Sequence, residues 1–255
     1  MKYFFDTVDT IPPGLGFSHF DGFHLKWLAA AVLFFLASSL IYRRLGDAGR
    51  RRMRLVIAAL TVADEVFKIY LLASHGNYNV EYLPLHLCSI NIFIVMLHAL
   101  KPSDFWGNFL YAFSIPGALA ALIFCTWTSL PPTAGMLIHS FTVHILLAAY
   151  TIMLTCGGDI RPDPKRIPGI TAALGLLSVP AIIVNHFYGT NFMFLHTPQP
   201  GTPFVFFEEH CGSFLVGVPI FFVVIYAVMF LPWHIAAGGL KARRCAQRTS
   251  SSSRS

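Results

Sequence analysis

Side chains that can carry out chemistry occur in this sequence inside long apolar stretches, where polar residues are rare. Cys88 supplies a thiol that can act as a nucleophile, and His144 supplies an imidazole that can act as a general base. Glu65 supplies a carboxylate of the kind that orients such an imidazole. These residue types form and cleave thioesters in acyl-transfer enzymes, so Cys88, His144 and Glu65 are the predicted catalytic residues.

Other polar residues lie near the same ends of the apolar stretches and are the predicted substrate-binding residues. They are His86, Asn91, His139, Asn185 and Asn191. Cys88 and Asn91 share one helix face, whereas His86 points to nearly the opposite side. A single membrane histidine more often bonds to a neighbouring helix than takes part in catalysis. The prediction therefore depends on the collection rather than on any one member.

A zinc site is the weaker interpretation of these histidines. Structural and catalytic zinc sites gather three or four ligands around one ion. On a helix, His139 and His144 are separated by about 140° around the axis, so they do not easily reach the same ion. We predict neither a metal nor another cofactor.

The second apolar stretch carries three charged residues, Asp64, Glu65 and Lys68. Lys68 follows Asp64 by four residues and Glu65 by three, so it can pair with either on the surface of a helix. Such an ion pair would fix the helix and leave one carboxylate over. Carboxylates inside a membrane also serve as proton relays, so a structural pair and a functional group are both open.

The elements that hold these residues are predicted to be membrane-spanning helices. Only 12% of the residues are charged and 55% are hydrophobic, whereas soluble domains have about 25% charged residues. A helix that crosses a bilayer needs about 20 mostly apolar residues. About seven stretches meet this requirement: 24–42, 55–75, 83–100, 105–126, 135–155, 167–187 and 213–233. The predicted fold is an all-α bundle of about seven transmembrane helices in a multi-pass protein of the cell membrane.

The basic residues predict the orientation of this bundle. Most of the 18 Lys and Arg fall in alternate loops and in the carboxyl-terminal tail, which the positive-inside rule places in the cytoplasm. The amino terminus then lies outside. Three regions follow: an outer segment 1–23, a transmembrane domain 24–235, and a disordered, basic and Ser-rich tail 236–255. No basic stripe interleaved with aromatics and no phosphate loop is present, so nucleic acid is excluded as a partner.

Two features of the outer side leave alternatives open. Cys125 and Cys211 both fall near predicted outer helix ends, and a disulfide between them requires Cα atoms within about 7 Å. The connection 188–212 is rich in Phe, Pro and Gly. It is predicted to be either a lid in the outer interface or an ordinary loop with interfacial aromatics.

Two segments of the chain resemble the YwaF-like integral membrane proteins of bacteria. The run Glu81-Tyr-Leu-Pro-Leu-His-Leu-Cys88 is similar to the LPLHLC element of that family. The run Gly189-Thr-Asn191-Phe-Met-Phe-Leu195, followed by Pro198 or Pro200, is similar to its NYMFL…KP loop. The resemblance covers most of residues 55–235.

Single residues agree with the same family in order and spacing. Glu65 matches its acidic position, and His144 with the downstream Arg161-Pro162 matches its histidine and Arg-Pro pair. Distant animal relatives of that family include a transmembrane acyltransferase that acts on ether phospholipids through a cysteine and a histidine. The superfamily extends to membrane hydrolases of fatty-acid esters that use a threonine and a histidine. The resemblance implies Cys88 as nucleophile and His144 as its partner.

The leading hypothesis is therefore an enzyme that transfers or hydrolyses acyl chains of membrane lipids taken from the outer leaflet. One alternative is a proton-coupled transporter of small solutes that uses the charged residues 64, 65 and 68. Another is a non-catalytic protein that binds lipids or assists assembly.

Overall fold

The computed structural model describes residues 2–198 and 202–252, and these residues form helices joined by short connections. The α-helices are α1 Gly22–Arg44, α2 Asp47–Ala73, α3 Leu87–Leu100, α4 Asp104–Phe109, α5 Ile115–Ile123, α6 Gly135–Gly157, α7 Ile167–Tyr188, α8 Pro203–Cys211 and α9 Gly217–Ser252. Short 3₁₀ turns lie at Val80–Tyr82, Pro164–Arg166, Phe192–Phe194 and Phe214–Val216. No strand occurs within the described ranges, which confirms the predicted all-α fold.

The long helices coincide with the apolar stretches that predicted them. Five segments of the described chain are long and apolar enough to cross a membrane: Gly22–Arg44, Asp104–Ile123, Gly135–Gly157, Pro164–Tyr188 and Phe214–Trp233. Helix α2 is long enough but carries several charges, and α3 is apolar but has only 14 residues. The protein is thus a helical membrane protein, while the side on which each terminus lies stays a prediction.

The fourth predicted span contains a change of helix type. A π-helical turn, Leu110–Ser114, joins α4 to α5, and Pro116 stands at the second position of α5. Proline has no N–H to donate to the carbonyl four residues earlier. The backbone widens just before this proline, as π-turns within α-helices do.

The described chain divides into two compact units, and the first consists of Met1–Arg161 and Gly169–Thr197. Helix α6 lies at its centre, in contact with α1, α2, α3 and α5. In its apolar window 67% of the residues are buried, compared with 22% in α1. Helix α6 is therefore enclosed by protein, whereas α1 leaves most of its surface to the lipid.

The second unit consists of Pro162–Pro168 and Pro198–Ser255. Within it, the phenyl rings of Phe204 and Phe221 lie 5.2 Å apart, and Glu208 Oε2 accepts a 2.7 Å hydrogen bond from the backbone N–H of Phe214. Helix α9 begins at Gly217, which packs against the ring of Phe207. A Cβ atom at this position would lie 2.4 Å from that ring. These contacts fold α8 back onto the start of α9.

Two predicted segments extend beyond the described residues. Pro200, in the loop that carried the family resemblance, and residues 253–255 of the predicted tail lie outside them. Helix α9 continues to Ser252, across part of the segment predicted to be disordered from residue 236. Ala, Leu, Lys and Arg are frequent in that segment, and they are good helix formers.

Candidate functional site

The charged residues of α2 separate into two different pairs. Lys68 Nζ lies 2.5 Å from Glu65 Oε1, and both residues are 6% exposed. Of the two pairings that the sequence left open, the structure forms the one between residues three apart. The recorded contact of Glu65 is thus with Lys68 rather than with an imidazole.

Asp64, one residue earlier, links α2 to α6. Its Oδ1 accepts a 2.8 Å hydrogen bond from Thr142 Oγ1, and its Oδ2 lies 2.9 Å from His139 Nδ1. Thr142 was not among the predicted site residues, and Asp64 was expected either to pair with Lys68 or to act as a proton relay. The available signal was that His139 and Thr142 are three residues apart and therefore share a face of α6.

His144 follows His139 by five residues on α6. The hydrogen bond of its ring determines which nitrogen carries the proton in the neutral form. Its Nδ1 lies 2.5 Å from the carbonyl oxygen of Ser140. A carbonyl oxygen can only accept, so Nδ1 carries the hydrogen. In the neutral ring, Nε2 then holds a lone pair, as a general base requires.

The ring of His144 stacks on Trp127, which the sequence analysis did not single out. The two rings are 5.4 Å apart at 15°, and Trp127 also meets Phe141 edge-on at 5.5 Å. Trp127 is 9% exposed, and its Nε1–H has no acceptor among the described residues. An unpaired buried donor costs about 1–3 kcal/mol. The contacts with α6 hold this donor in place despite that cost.

The charged and imidazole groups form one electrostatic neighbourhood. The carboxylate of Asp64 and the imidazoles of His139 and His86 lie close enough to His144 to interact with it electrostatically, and Lys68 interacts in the same way with His86. Helices α2, α3 and α6 therefore bring these predicted site residues together near one end of the first unit.

Cys88 is the second residue of α3 and is half-buried. Its thiol is free and makes no hydrogen bond to His144 or to any other residue in the described part of the chain, and its predicted role as nucleophile stays a prediction. Cys125 and Cys211 are free as well, which leaves the proposed disulfide unformed. No group of three His, Cys, Asp or Glu within residues 2–198 and 202–252 is placed to hold a metal ion.

Asn91 lies three residues after Cys88 and is 1% exposed. Its Oδ1 has no hydrogen-bond partner among the described residues. Most buried side-chain polar atoms in proteins are paired. Asn91 therefore presents an unused polar group on the helix face that it shares with Cys88.

His86 joins the two segments that carried the family resemblance. It precedes α3, and its Nδ1 accepts a 3.3 Å hydrogen bond from the backbone N–H of Met193. Its ring lies 5.0 Å from that of Phe192 and 5.8 Å from that of Phe194. The predicted substrate-binding residue His86 thus holds the 189–195 segment against the start of α3.

Asn185 makes all of its recorded bonds to the same segment. Its Oδ1 accepts from Phe192 N at 2.8 Å and from Thr190 Oγ1 at 2.9 Å, while its Nδ2 donates to the Phe192 carbonyl at 3.0 Å. Both ends of the amide are therefore occupied within the protein. Asn185, which was predicted to bind substrate, stabilises the loop that follows α7 in this structure.

The side chain of Asn191, in the loop after α7, is occupied in the same way. Its Oδ1 accepts from the backbone N–H groups of His196 and Thr197 at 3.0 and 3.1 Å, and its Nδ2 donates to Thr197. Just after Asn191, Met193 and Phe194 have positive φ angles of 56° and 54°. A positive φ angle is energetically costly for residues other than glycine, and the surrounding hydrogen bonds stabilise this backbone conformation.

A family model matches residues 15–236 of the chain. The protein belongs to the TMEM164 family. No curated protein and no solved structure matches the chain. The matched residues begin before α1 and end within α9, so the whole candidate site lies inside the part that defines the family.

Proposed function

We propose that this membrane protein transfers or hydrolyses an acyl chain of a membrane lipid, with Cys88 as nucleophile and His144 as general base. In the first step His144 Nε2 takes the thiol proton, and the thiolate attacks the ester carbonyl. The ester C–O bond breaks, His144 returns the proton to the leaving alcohol, and an acyl thioester remains on Cys88. A second alcohol or water then attacks the thioester, with its proton passing through His144 back to the thiol.

The observation that carries this proposal is the proton position on His144. The Ser140 carbonyl holds the hydrogen on Nδ1, which leaves Nε2 ready to accept a proton. The negative charge of Asp64 acts on the same ring, and a carboxylate near an imidazole stabilises the imidazolium that forms during transfer. We therefore assign that role to Asp64 in place of Glu65, whose charge is compensated by Lys68.

Trp127, which stacks on the imidazole of His144, also supports the proposal. The ester carbonyl oxygen becomes negative when the thiolate attacks, and donors already in place at that oxygen lower the barrier. The buried Trp127 N–H has no acceptor among the described residues and belongs to the ring stacked on His144. We assign it to the substrate carbonyl oxygen.

The surface of α3 supports a lipid as the substrate. Phe93 and Leu97 are 57% and 43% exposed on the same helix that carries Cys88. Apolar side chains of this kind face hydrocarbon in a membrane helix, so lipid acyl chains lie along the middle and second half of the helix that carries Cys88.

The test uses the full-length protein in lipid nanodiscs that contain a phospholipid with a labelled acyl chain. We expect the label on Cys88 as a thioester that neutral hydroxylamine cleaves. Cys88→Ala removes both the adduct and turnover. Cys156→Ala is the matched control because Cys156 is a free, exposed thiol elsewhere in the first unit. Turnover that survives Cys88→Ala, or wild-type protein without adduct and turnover, contradicts the proposal.

A proton-coupled transporter is the second candidate, and the buried contact between Asp64 and His139 favours it. Ionisable side chains in contact inside a membrane are the components of proton relays. Proton-coupled solute flux into liposomes that requires Asp64 and is unaffected by Cys88→Ala would support the transporter and contradict the enzyme.

A further inference from the structure

A cavity of about 440 Å³ opens in the first unit at the opposite end from Cys88. It lies where α2 begins and α3 and α6 end, which the loop charges predict to be the cytoplasmic side. Arg54, His98, Ser103, Asp104 and Asp159 contribute its polar lining. Its volume falls in the range of small-molecule sites, about 300–1,000 Å³.

Arg54 is the cation in this lining. Its Nη1 donates to Tyr42 Oη at 3.0 Å and to Asp159 Oδ2 at 3.1 Å. Its Nε is enclosed and has no partner among the described residues, and no bond of its Nη2 is recorded. A guanidinium has five N–H donors, and because Nε is enclosed, the donors that Arg54 keeps for a ligand are the two on Nη2.

The neighbouring Asp159 does not cancel the positive charge. Arg50 Nη1 lies 2.9 Å from Asp159 Oδ1, and Arg54 takes the other oxygen. Tyr42 also donates its hydroxyl hydrogen to Asp159. Two guanidinium groups thus share one carboxylate, which leaves one positive charge over. Asp104 is the acidic group in the lining that opposes this surplus.

His98 adds a second polar group that is held rigidly. It is 3% exposed, and its Nδ1 lies 2.9 Å from the hydroxyl of Tyr150, which is fully buried. No bond of His98 Nε2 is recorded among the described residues. The lining therefore combines a guanidinium with unused donors and an imidazole fixed through its other nitrogen.

We propose that this cavity binds a phosphate group, carried either by the headgroup of an anionic lipid or by a soluble phosphate. Guanidinium N–H groups match phosphate oxygens in geometry and charge. Basic pockets between membrane helices at the cytoplasmic side take phosphorylated headgroups. The exposed Arg51 and Arg52 on the first turns of α2 raise the local concentration of anions around the opening. This inference does not depend on the acyl-transfer proposal.

The test measures binding to the full-length protein in two arms. In the first, detergent-solubilised protein is titrated with inorganic phosphate. In the second, binding of phosphatidic acid is compared with that of phosphatidylcholine in nanodiscs of stated composition. Binding in the first arm alone assigns a soluble phosphate, and selective binding of phosphatidic acid assigns a lipid headgroup. Absence of binding in both arms overturns the proposal.

Four variants distinguish binding in the cavity from attraction by general surface charge. Arg54→Gln is expected to weaken binding about tenfold or more. Arg52→Gln removes an exposed charge of the same helix and should change affinity less than about twofold at physiological salt. Equal losses in these two variants would overturn the site.

Asp104→Asn removes the opposing charge and should strengthen binding about two- to fivefold. If Arg54→Gln fails to fold, as judged by circular dichroism and gel filtration, Arg54→Lys and Asp104→Asn decide the matter. Lysine retains the charge without the planar set of donors, so Arg54→Lys should still weaken binding. Unchanged affinity in both overturns the proposal.

Discussion

Two regions of the first unit use buried polar groups in opposite ways. In the segment that follows α7, the buried polar groups have their hydrogen bonds made, and we call this segment saturated. The side-chain amide of Asn185 donates to Phe192 and accepts from Thr190 and Phe192. Around the start of α3 and the middle of α6, buried polar atoms are left without partners, as in Asn91 and Trp127. Polar groups with all their hydrogen bonds made stabilise the fold. Unpaired buried groups cost stability and are therefore candidates for binding a ligand. The contrast separates supporting residues from candidate catalytic residues.

The largest expected effect comes from His144→Asn. The asparagine amide can still donate to the Ser140 carbonyl, but the basic Nε2 is lost. Loss of a general base lowers turnover by about 10²–10⁴-fold. The measurement is turnover of a labelled phospholipid, with thermal unfolding as a check that the protein remains folded. A variant that keeps more than about half of the activity would remove His144 from the mechanism.

Trp127→Phe should have the next largest effect. Phenylalanine keeps an aromatic ring against His144 and removes only the unpaired N–H. Removing an unsatisfied buried donor leaves stability unchanged or higher, while loss of a donor to the developing oxyanion lowers kcat by about 10²-fold. A loss of stability with an unchanged kcat would instead make Trp127 a packing residue.

Asn185→Ala tests the saturated side of the comparison. The change leaves the N–H and carbonyl of Phe192 and the hydroxyl of Thr190 without their buried partner, which should lower the free energy of unfolding by about 2–3 kcal/mol. Turnover per folded molecule should remain within about twofold. Chemical denaturation in detergent measures the first quantity. A raised KM at unchanged stability would restore the predicted substrate-binding role of Asn185.

The sequence predicted the helices well because length and apolar composition are properties of each segment alone. It also predicted that polar residues cluster toward one end, since depth along a helix follows from residue number. It did not predict which carboxylate meets which partner. Asp64 and Glu65 differ by about 100° around the axis of α2. The rotation of α2 against α6 assigns Asp64 to His139, and Glu65 then pairs with Lys68 within α2.

Residues in connections were the least predictable. Trp127 lies between α5 and α6, where no helical period places its ring, and its position follows from stacking on His144. Asn191 lies in a loop as well, and its bonds to the residues 196 and 197 become apparent only once the chain turns back. Asn185 and Asn191 were predicted to bind substrate because they are polar residues in apolar surroundings. In the structure, both side chains instead form hydrogen bonds with the backbone of the loop.

The smallest expected effect concerns Asp21, which caps α1 and, like Asn185, has its side-chain oxygens occupied by hydrogen bonds. Its carboxylate accepts hydrogen bonds from the backbone N–H groups of His24 at 2.8 Å and Ser18 at 3.0 Å, and these bonds lower the pKa of Asp21 below its usual value of 3.8. Because the pKa is lower in the folded state, the cap stabilises α1 fully above the unfolded pKa. That stabilisation is lost as the pH falls through the folded value. Amide hydrogen exchange at the first turn of α1 should therefore accelerate below about pH 4 in the wild type.

Asp21→Asn retains an oxygen that caps the helix but no longer titrates, so exchange at this turn should lose that pH dependence while staying slow at neutral pH. Asp21→Ala should exchange fast at both pH values, because no side-chain acceptor remains. Equal exchange in all three proteins would mean that the contacts of His24, whose Nε2 lies 2.8 Å from the Leu122 carbonyl, hold the start of α1 without the cap. In that case saturation of hydrogen bonds alone would not identify the residues that stabilise the fold, and the comparison would have to rest on burial as well.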